Sequence, residues 1–197
     1  MILVTGANGS NGSEVVKRLV RTGVAVRAMI RTPRHQFKDA LAGVEFATAD
    51  FDRPDTIRRA LEGVERAFLV TSSSERVEQQ QLQFVQLARE AGVRHILCLS
   101  QLHAIKDSPV RFLRYHAIVE EAIALSGMAF THLRPNLYMQ GLLGFQASIA
   151  SQGSFFAPAS DARVSVVDVR DIAAVATTAL TRNGHEGSVT TLPGRKH

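Results

Sequence analysis

The chain has 197 residues, enough for one sizeable domain, and its 45% hydrophobic and 21% charged residues are typical of a globular protein and exclude extensive disorder. It has no apolar run of about 18 residues, and its start, MILVTGANG, has no basic segment ahead of an apolar one, so we expect neither a membrane span nor a signal peptide. The net charge of +5 suits an anionic ligand, but the basic residues form no block and no nucleic-acid motif, so we expect no nucleic-acid partner.

Strands and helices are predicted to alternate along the whole chain. The predicted strands are MILVTG, VAVRAMI, VEFATA, RAFLVT, HILCLS, AFTHLR, VSVVDV and SVTTL. The predicted helices are Ser13–Thr22, the segment after Asp52 and Pro54 that contains IRRALEGV, Glu75–Ala91, Arg114–Ser126, and IAAVATTAL with Asp171 as its cap. The single cysteine, Cys98, lies in HILCLS, which predicts a buried reduced thiol and favours a cytoplasmic protein.

Near-continuous apolar strands that alternate with helices are typical of a parallel sheet covered on both faces. Right-handed crossovers then favour a doubly wound, Rossmann-like order, so the predicted fold class is α/β. We expect residues 1–197 to form one domain. Within it, residues 141–163 are the least regular stretch, and we expect them to contribute to a small substrate-side lobe.

A glycine-rich turn follows the first strand and opens the first helix, with the sequence Gly6-Ala7-Asn8-Gly9-Ser10-Asn11-Gly12. Glycines at these points allow a tight turn, a close approach of backbone to a pyrophosphate, and close packing of helix on strand. Free N–H groups at the helix start would face the phosphates. The residues expected to bind a dinucleotide here are Gly6, Asn8, Gly9, Ser10, Asn11 and Gly12. The alternative is a turn with a structural role alone.

The second strand indicates which dinucleotide is bound. It is followed by Arg31-Thr32-Pro33-Arg34, and no acid comes before Asp39, whereas NAD sites usually place an acid there to hold the ribose hydroxyls. Arg31 can hold a 2′-phosphate or stack on the adenine, so NADP(H) is favoured over NAD(H). Asp50 after the third strand is expected near the adenine, with a helix-start role as the alternative. Thr71 and Ser72 after the fourth strand are expected to line the cofactor, or else to be ordinary turn residues.

Six segments together resemble the NmrA-like type of atypical short-chain dehydrogenase/reductase, and the resemblance covers nearly the whole chain. They are GANGSNGSEVVKRLV, VRAMIRTP, ATADFDRPDTIRRALEGV, LCLSQLHA, YHAIVEEAIALSGMAFTHLRPNLYMQ and VSVVDVRDIA. The resemblance implies a Rossmann-like fold and an NADP cofactor. It leaves the role open, because such proteins include reductases of quinones or azo dyes, reductases of plant phenolic ethers, and NADP-binding regulators without turnover. Family members usually continue with further helices, so the substrate lobe of this chain is expected to be open, completed by a second subunit in a homodimer, or incomplete.

The usual catalytic set of short-chain dehydrogenases is only partly present. Ser100 fits the serine and Tyr115 the tyrosine, but Val119 stands four residues on, where a lysine would lower the pKa of the tyrosine. The phenolic ether reductases carry a lysine at about the place of His116. His116 is therefore a candidate proton donor, and its alternative is a solvent-facing helix residue.

Other polar groups are expected above the carboxyl edge of the sheet. His103 and Lys106 follow the fifth strand and are either ligand contacts or solvated loop residues. Asn136 and Tyr138 follow the sixth strand and are expected at the nicotinamide side, with Asn136 touching the cofactor; a structural role is the alternative. The seven histidines have no metal-ligand spacing, so no metal is expected.

These observations predict an NADPH-dependent oxidoreductase that transfers hydride to a small, flat acceptor such as a quinone, a reaction that needs little protein chemistry because the cofactor supplies the hydride. The candidate catalytic residues are His116, Tyr115 and Ser100. The alternative is a non-catalytic NADP(H)-binding redox sensor, which the missing lysine favours. A purely structural role would require an empty glycine turn.

Overall fold

The computed structural model describes residues 1–32, 43–156 and 164–194, and its main feature is one parallel β-sheet. The strands are β1 (Ile2–Val4), β2 (Val26–Ile30), β3 (Glu45–Thr48), β4 (Arg66–Leu69), β5 (His95–Leu99), β6 (Ala129–Pro135), β7 (Leu137–Tyr138), β8 (Val166–Val167) and β9 (Ser188–Leu192). Seven of them form a sheet of order β3-β2-β1-β4-β5-β6-β9 with parallel pairing throughout. The strand order reverses between β1 and β4, which defines a doubly wound, Rossmann-like sheet and confirms the predicted class.

Helices cover both faces of the sheet. They are α1 (Ser10–Arg21), α2 (Pro54–Leu61), α3 (Val77–Glu90), α4 (Arg111–Leu125), α5 (Gln146–Gln152) and α6 (Val169–Thr181). α1 packs against α6 on one face, and α2, α3 and α4 cover the other, so each face has its own apolar core. Cys98 lies in the second core, and burial raises the pKa of its thiol, so the predicted buried thiol is confirmed. Together the two cores hold the carboxyl ends of the strands in place.

The starts of three helices differ from the sequence prediction by three residues. α4 begins at Arg111 and not at Arg114. α1 begins at Ser10 and not at Ser13, because the turn residues themselves form its first helical turn after Gly9. α6 is capped by Asp168, whose carboxylate accepts the backbone N–H of Arg170 at 2.8 Å. The prediction that Asp171 caps this helix is wrong, since Asp171 lies in the first turn.

The stretch predicted to be irregular is mostly helical over its described residues, 141–156. A 3₁₀ helix spans Met139–Phe145 and leads directly into α5, and neither helix buries a residue. Short β7 and β8 pair with each other and join this segment to the start of α6. Residues 157–163 of the predicted lobe lie outside the described residues. The segment therefore forms an exposed apolar arm beside the carboxyl edge of the sheet, with Leu142, Leu143 and Ile149 among its exposed side chains.

Candidate dinucleotide site

A cavity of about 500 Å³ lies over the carboxyl ends of β1 to β4, next to the point where the strand order reverses. In open α/β sheets this is where ligands bind. The cavity is lined by Gly6, Asn8, Met29, Arg31, Ala49, Asp50, Phe51, Asp52, Val70, Thr71, Ser72, Ser74, Glu75, Arg76 and Gln80. The glycine turn and the turns after β2, β3 and β4, which the sequence analysis singled out, thus meet at one place.

The glycine turn is shaped so that side chains do not fit in it. A Cβ on Gly12 would lie 2.2 Å from the Gly6 carbonyl oxygen, so α1 can pack this closely only with glycine at that position. Gly6 has φ +54, and a Cβ there would lie 3.0 Å from the Val70 carbonyl oxygen. The Gly9 N–H donates to Gly6 O at 2.9 Å and closes the turn. The backbone of this turn is therefore open to a close-fitting ligand.

The first turn of α1 supplies the donors for such a ligand. The N–H groups of Ser10, Asn11 and Gly12 lie where a helix has no internal carbonyl to bond, and the helix dipole places partial positive charge there. No acidic side chain lies in this turn, and Asn8 and Ser10 are exposed beside it. Free N–H groups, an open backbone and positive potential together fit a pyrophosphate.

At the other end of the cavity, Arg31 is exposed at the rim and has no ion pair with any described residue. Pro33 and Arg34 of the predicted basic loop lie outside the described residues. Asp50 lines the cavity, and its carboxylate accepts the N–H of Asp52 at 3.0 Å, so it closes a local turn; it does not start the next helix, whose N-cap is Arg53. A free cation and a partly committed acid favour a phosphate at this end.

Two further predicted residues line the cavity from β4. The Thr71 hydroxyl accepts a 2.6 Å hydrogen bond from the side-chain amide of Gln81, and Ser72 is exposed. Thr71 is thereby oriented by α3, while Ser72 is free to meet a ligand.

Sequence reasoning did not assign Asp52, Arg76 or Gln80 to the site, yet all three line it. Arg76 and Gln80 donate to the two carboxylate oxygens of Asp52 at 2.7 and 2.8 Å. For Arg76 alone, the polar run TSSSER after β4 was an available signal, because polar residues at the carboxyl end of a parallel strand commonly face the ligand.

Tyr115 and His116 lie next to each other on α4, on the β5 and β6 side of the reversal point. Both are buried, and their rings pack together with Phe112. Burial lowers the pKa of His116 to about 4 and raises the pKa of Tyr115, whose hydroxyl is a neighbour of Ser73. The solvent-facing alternative for His116 is thus wrong. At neutral pH both groups are neutral hydrogen-bond donors rather than bases.

Ser100 lies beneath these residues in a buried polar cluster. Its side chain is close to the carboxylate of Glu120, one turn after His116, and Glu120 forms a bidentate pair with Arg134 on β6. Burial raises the pKa of Glu120, but the hydrogen bonds from Arg134 and the nearby Ser100 hydroxyl outweigh the effect of burial and hold the pKa below its usual value, although Ser100 Oγ has no hydrogen-bond partner among the described residues. This cluster fixes α4 against β5 and β6.

The turn after β6 brings a second tyrosine to the site. The Tyr138 hydroxyl lies beside the Asn11 amide and near Tyr115, and burial raises its pKa to about 12. Asn11 Oδ1 is buried without a hydrogen-bond partner in the described part of the chain. The Asn136 amide donates to the carbonyl and hydroxyl of Ser165 at 2.9 and 2.7 Å, which is the structural role given as its alternative. The two tyrosines of the chain therefore lie near each other beside the start of α1, on the side where the nicotinamide was predicted.

Three residues near this side bear on proton transfer. Val119 is fully buried, so no cation occupies the place of the usual lysine. Lys106 forms an ion pair with Glu121, and His103 is exposed with φ 64. Both are solvated loop residues in this structure. Val119 thus stands in the place of the lysine, and a different cation, Arg111, lies one turn before Tyr115 on α4, where its charge partly offsets the rise in the pKa of Tyr115.

Over the described ranges, no group of three or more His, Cys, Asp or Glu side chains is placed to hold a metal ion. Nor is any described helix long and apolar enough to cross a membrane.

The fold and the site define a dinucleotide-binding protein of the Rossmann class. The model of the NmrA-like family matches residues 1–194. The chain is 36% identical over 194 residues to the NAD(P)H azoreductase of Xenophilus azovorans and 32% identical over 198 residues to quinone oxidoreductase 2 of Escherichia coli; each match covers 98% of this chain and 68% of the relative. The crystal structure of the NADPH-dependent E. coli quinone oxidoreductase with NADPH superposes with a TM-score of 0.87, covering 98% of this chain and 69% of that one. This chain therefore belongs to the NmrA-like family.

Proposed function

We propose that this chain is an NADPH-dependent oxidoreductase that transfers hydride to a small, flat acceptor such as a quinone. The observation that carries the proposal is the turn at Gly12, where a side chain would meet backbone at 2.2 Å and where the helix start is left open to a pyrophosphate. Relatives that share about a third of their residues with this chain are named as NAD(P)H azoreductase and quinone oxidoreductase, and the NADPH complex of the second has the same fold.

The chain's own residues hold the cofactor in three places. The glycine turn and the first N–H groups of α1, with Asn8 and Ser10, bind the pyrophosphate. Arg31 binds the 2′-phosphate, and Asp50, Thr71 and Ser72 contact the adenosine. When bound, NADPH supplies the hydride that reduces the acceptor.

Tyr115 and His116 are proposed to orient the acceptor. Because burial keeps both neutral, each can donate a hydrogen bond to an acceptor oxygen. The proton that this oxygen takes up then comes from the Tyr115 hydroxyl or from water, because a neutral imidazole keeps its N–H proton. The Ser100 side chain is close to the Glu120 carboxylate, so we assign it a positioning role, through Glu120 and α4, instead of direct contact. Asn136 acts on the site through the Ser165 segment.

The acceptor lobe is proposed to include residues 141–163, of which 157–163 lie outside the described residues. The exposed apolar side chains of Leu142, Leu143 and Ile149 suit a flat apolar molecule at this edge. A homodimer in which a second copy completes this lobe belongs to the same proposal, as does a cytoplasmic location, which the buried thiol of Cys98 supports. Light scattering of the purified chain measures the oligomeric state.

The second candidate is an NADP(H)-binding sensor without turnover. Val119 favours it, because the lysine that usually lowers the pKa of the tyrosine is absent and burial raises the pKa of Tyr115. In that case the packed rings of Phe112, Tyr115 and His116 on α4 would only stabilise the fold.

The two candidates are separated by the loss of nicotinamide absorbance when the chain is mixed with NADPH and a panel of quinones. The reductase is supported if NADPH oxidation needs both protein and quinone and is slower with NADH. Tight NADPH binding in a fluorescence titration, with no oxidation for any quinone, supports the sensor instead. If the chain is a reductase, Tyr115→Phe and His116→Gln should reduce turnover while leaving the affinity for NADPH unchanged.

A further inference from the structure

The cavity that is proposed to hold the adenosine end carries more negative than positive side chains. Its lining includes the three carboxylates of Asp50, Asp52 and Glu75, but only the two guanidinium groups of Arg31 and Arg76. NADP(H) brings a 2′-phosphate to this end, so a lining of net negative charge opposes its binding unless the cations are placed against it. The partners of each cation therefore matter for cofactor choice.

Arg76 is held at the rim of the cavity by a single hydrogen bond. Its Nη2 donates to Asp52 Oδ2 at 2.7 Å, while its Nε and Nη1 have no hydrogen-bond partner among the described residues. The Arg76 and Asp52 side chains are 66% and 36% exposed, so water and salt weaken their pairing. Most of the arginine fork is therefore free to bind a second anion.

The neighbours of this pair keep it facing the cavity. Gln80 donates to the other Asp52 oxygen at 2.8 Å, which fixes the carboxylate from α3. Arg111 on α4 donates to the carbonyls of Ser74 and Glu75, which fixes the segment just before Arg76. Arg76 is thus positioned on the side of the cavity formed by β4, and Arg31 on the side formed by β2.

We infer that Arg76 is a second cationic contact for the 2′-phosphate, and that Asp52 limits the strength of this contact by sharing the guanidinium. The inference rests on NADP(H) being the cofactor, as proposed above. A guanidinium is well suited to the task because its planar fork binds a phosphate and a carboxylate at the same time. Asp52 and Arg76 together set how strongly the chain prefers NADP(H) to NAD(H).

The sign of the Asp52 effect distinguishes this role from a structural one. If Asp52 only stabilises the structure of the cavity rim, Asp52→Asn destabilises the rim and weakens the binding of every adenine nucleotide. If Asp52 shares Arg76 with the phosphate, the same change removes a charge that repels the phosphate. It then strengthens the binding only of ligands that carry the 2′-phosphate.

The test uses 2′,5′-ADP and 5′-AMP as probes, since they carry the adenosine end with and without the 2′-phosphate. Each displaces NADPH from the full chain in a fluorescence titration. We expect Arg76→Gln to weaken 2′,5′-ADP about tenfold, the size of one charge-assisted contact, and 5′-AMP less than about twofold. We expect Asp52→Asn to strengthen 2′,5′-ADP by about three- to tenfold with little effect on 5′-AMP.

Asp55→Asn is the matched control. It removes the same charge three residues along the chain, from an exposed pair with Arg58 that does not line the cavity, so it should leave both probes unchanged. Equal losses for both probes in Arg76→Gln, or weaker binding of both in Asp52→Asn, would overturn the inference while leaving the cofactor assignment intact. Failure of the unmodified chain to bind NADPH would overturn both.

Discussion

Substitution of Gly12 by alanine tests the physical basis of the cofactor site. The added Cβ would lie 2.2 Å from the carbonyl oxygen of Gly6, 2.7 Å from its carbonyl carbon and 2.9 Å from the Ala7 Cα. All three atoms belong to the backbone, so no side chain can rotate away. Because ordinary contacts of this kind are about 3.5 Å, the turn and the start of α1 must separate by about 1 Å.

The cost of this separation has two parts. Overpacking of a close contact costs about 1–3 kcal/mol, which for a domain of this size lowers Tm by between about 2 and 12 °C. The shift also moves the N–H groups that are expected to bind the pyrophosphate. Two such charge-assisted bonds contribute about 3–6 kcal/mol together, so we expect the NADPH affinity to fall by at least about 100-fold.

The assay is an NADPH fluorescence titration beside a thermal melt for each of three glycine variants. Gly144→Ala is the control for fold and cofactor binding, because its Cβ would meet nothing within 4 Å. Gly9→Ala should be intermediate, since its Cβ would lie 3.2 Å from Gly6 O. If Gly12→Ala binds NADPH as tightly as the unmodified chain, the turn does not carry the cofactor and the reasoning is refuted.

Four other changes test separate parts of the site. Arg31→Ala should weaken NADPH far more than NADH in the same titration; equal losses would contradict its contact with the 2′-phosphate. Burial depresses the pKa of His116, so its neutral form stabilises the fold above pH 6.5 and this contribution is lost as the pH falls from 6.5 toward 4; urea midpoints at pH 7 and 5 should differ less in His116→Gln. The pKa of Glu120 is also depressed, so its contribution to the stability of the fold is present above pH 4.5, its ordinary pKa, and is lost as the pH falls below that value. The urea midpoint of Glu120→Gln should therefore depend less on pH below 4.5. Leu143→Ser should raise KM for apolar quinones and leave NADPH affinity unchanged, whereas an unchanged KM would remove this residue from the acceptor lobe.

The cofactor half of the site could be read from the sequence because its parts are local. Gly6 to Gly12 lie in one turn, and Arg31, Asp50 and Thr71 each follow a recognisable apolar strand. Parallel strands bring their carboxyl ends to one edge, so strand prediction alone placed these residues together.

What sequence reasoning missed depends on pairs of side chains from distant elements. Asp52 and Arg76 line the cavity as an ion pair that joins the turn after β3 to the start of α3, and no local pattern marks such a pair. The buried state of His116 was not predicted for a related reason. A helix position is buried or exposed according to what packs on it, here the Phe112 and Tyr115 rings and the β5 and β6 layer.

The part of the site that is proposed to bind the acceptor depends on contacts between more distant elements than the part that is proposed to bind the cofactor. Asn11 follows β1 and meets Tyr138, which follows β6 three strands away in the sheet, and Tyr115 approaches both from α4. These contacts require the whole sheet to be assembled, whereas the glycine turn needs only β1 and α1. A change in the acceptor half can therefore convert a reductase into a sensor while the glycine turn stays the same, which is why family resemblance predicts the cofactor of this chain more securely than its acceptor. The neutral donors Tyr115 and His116, and not the glycines, are accordingly where the two proposed functions diverge.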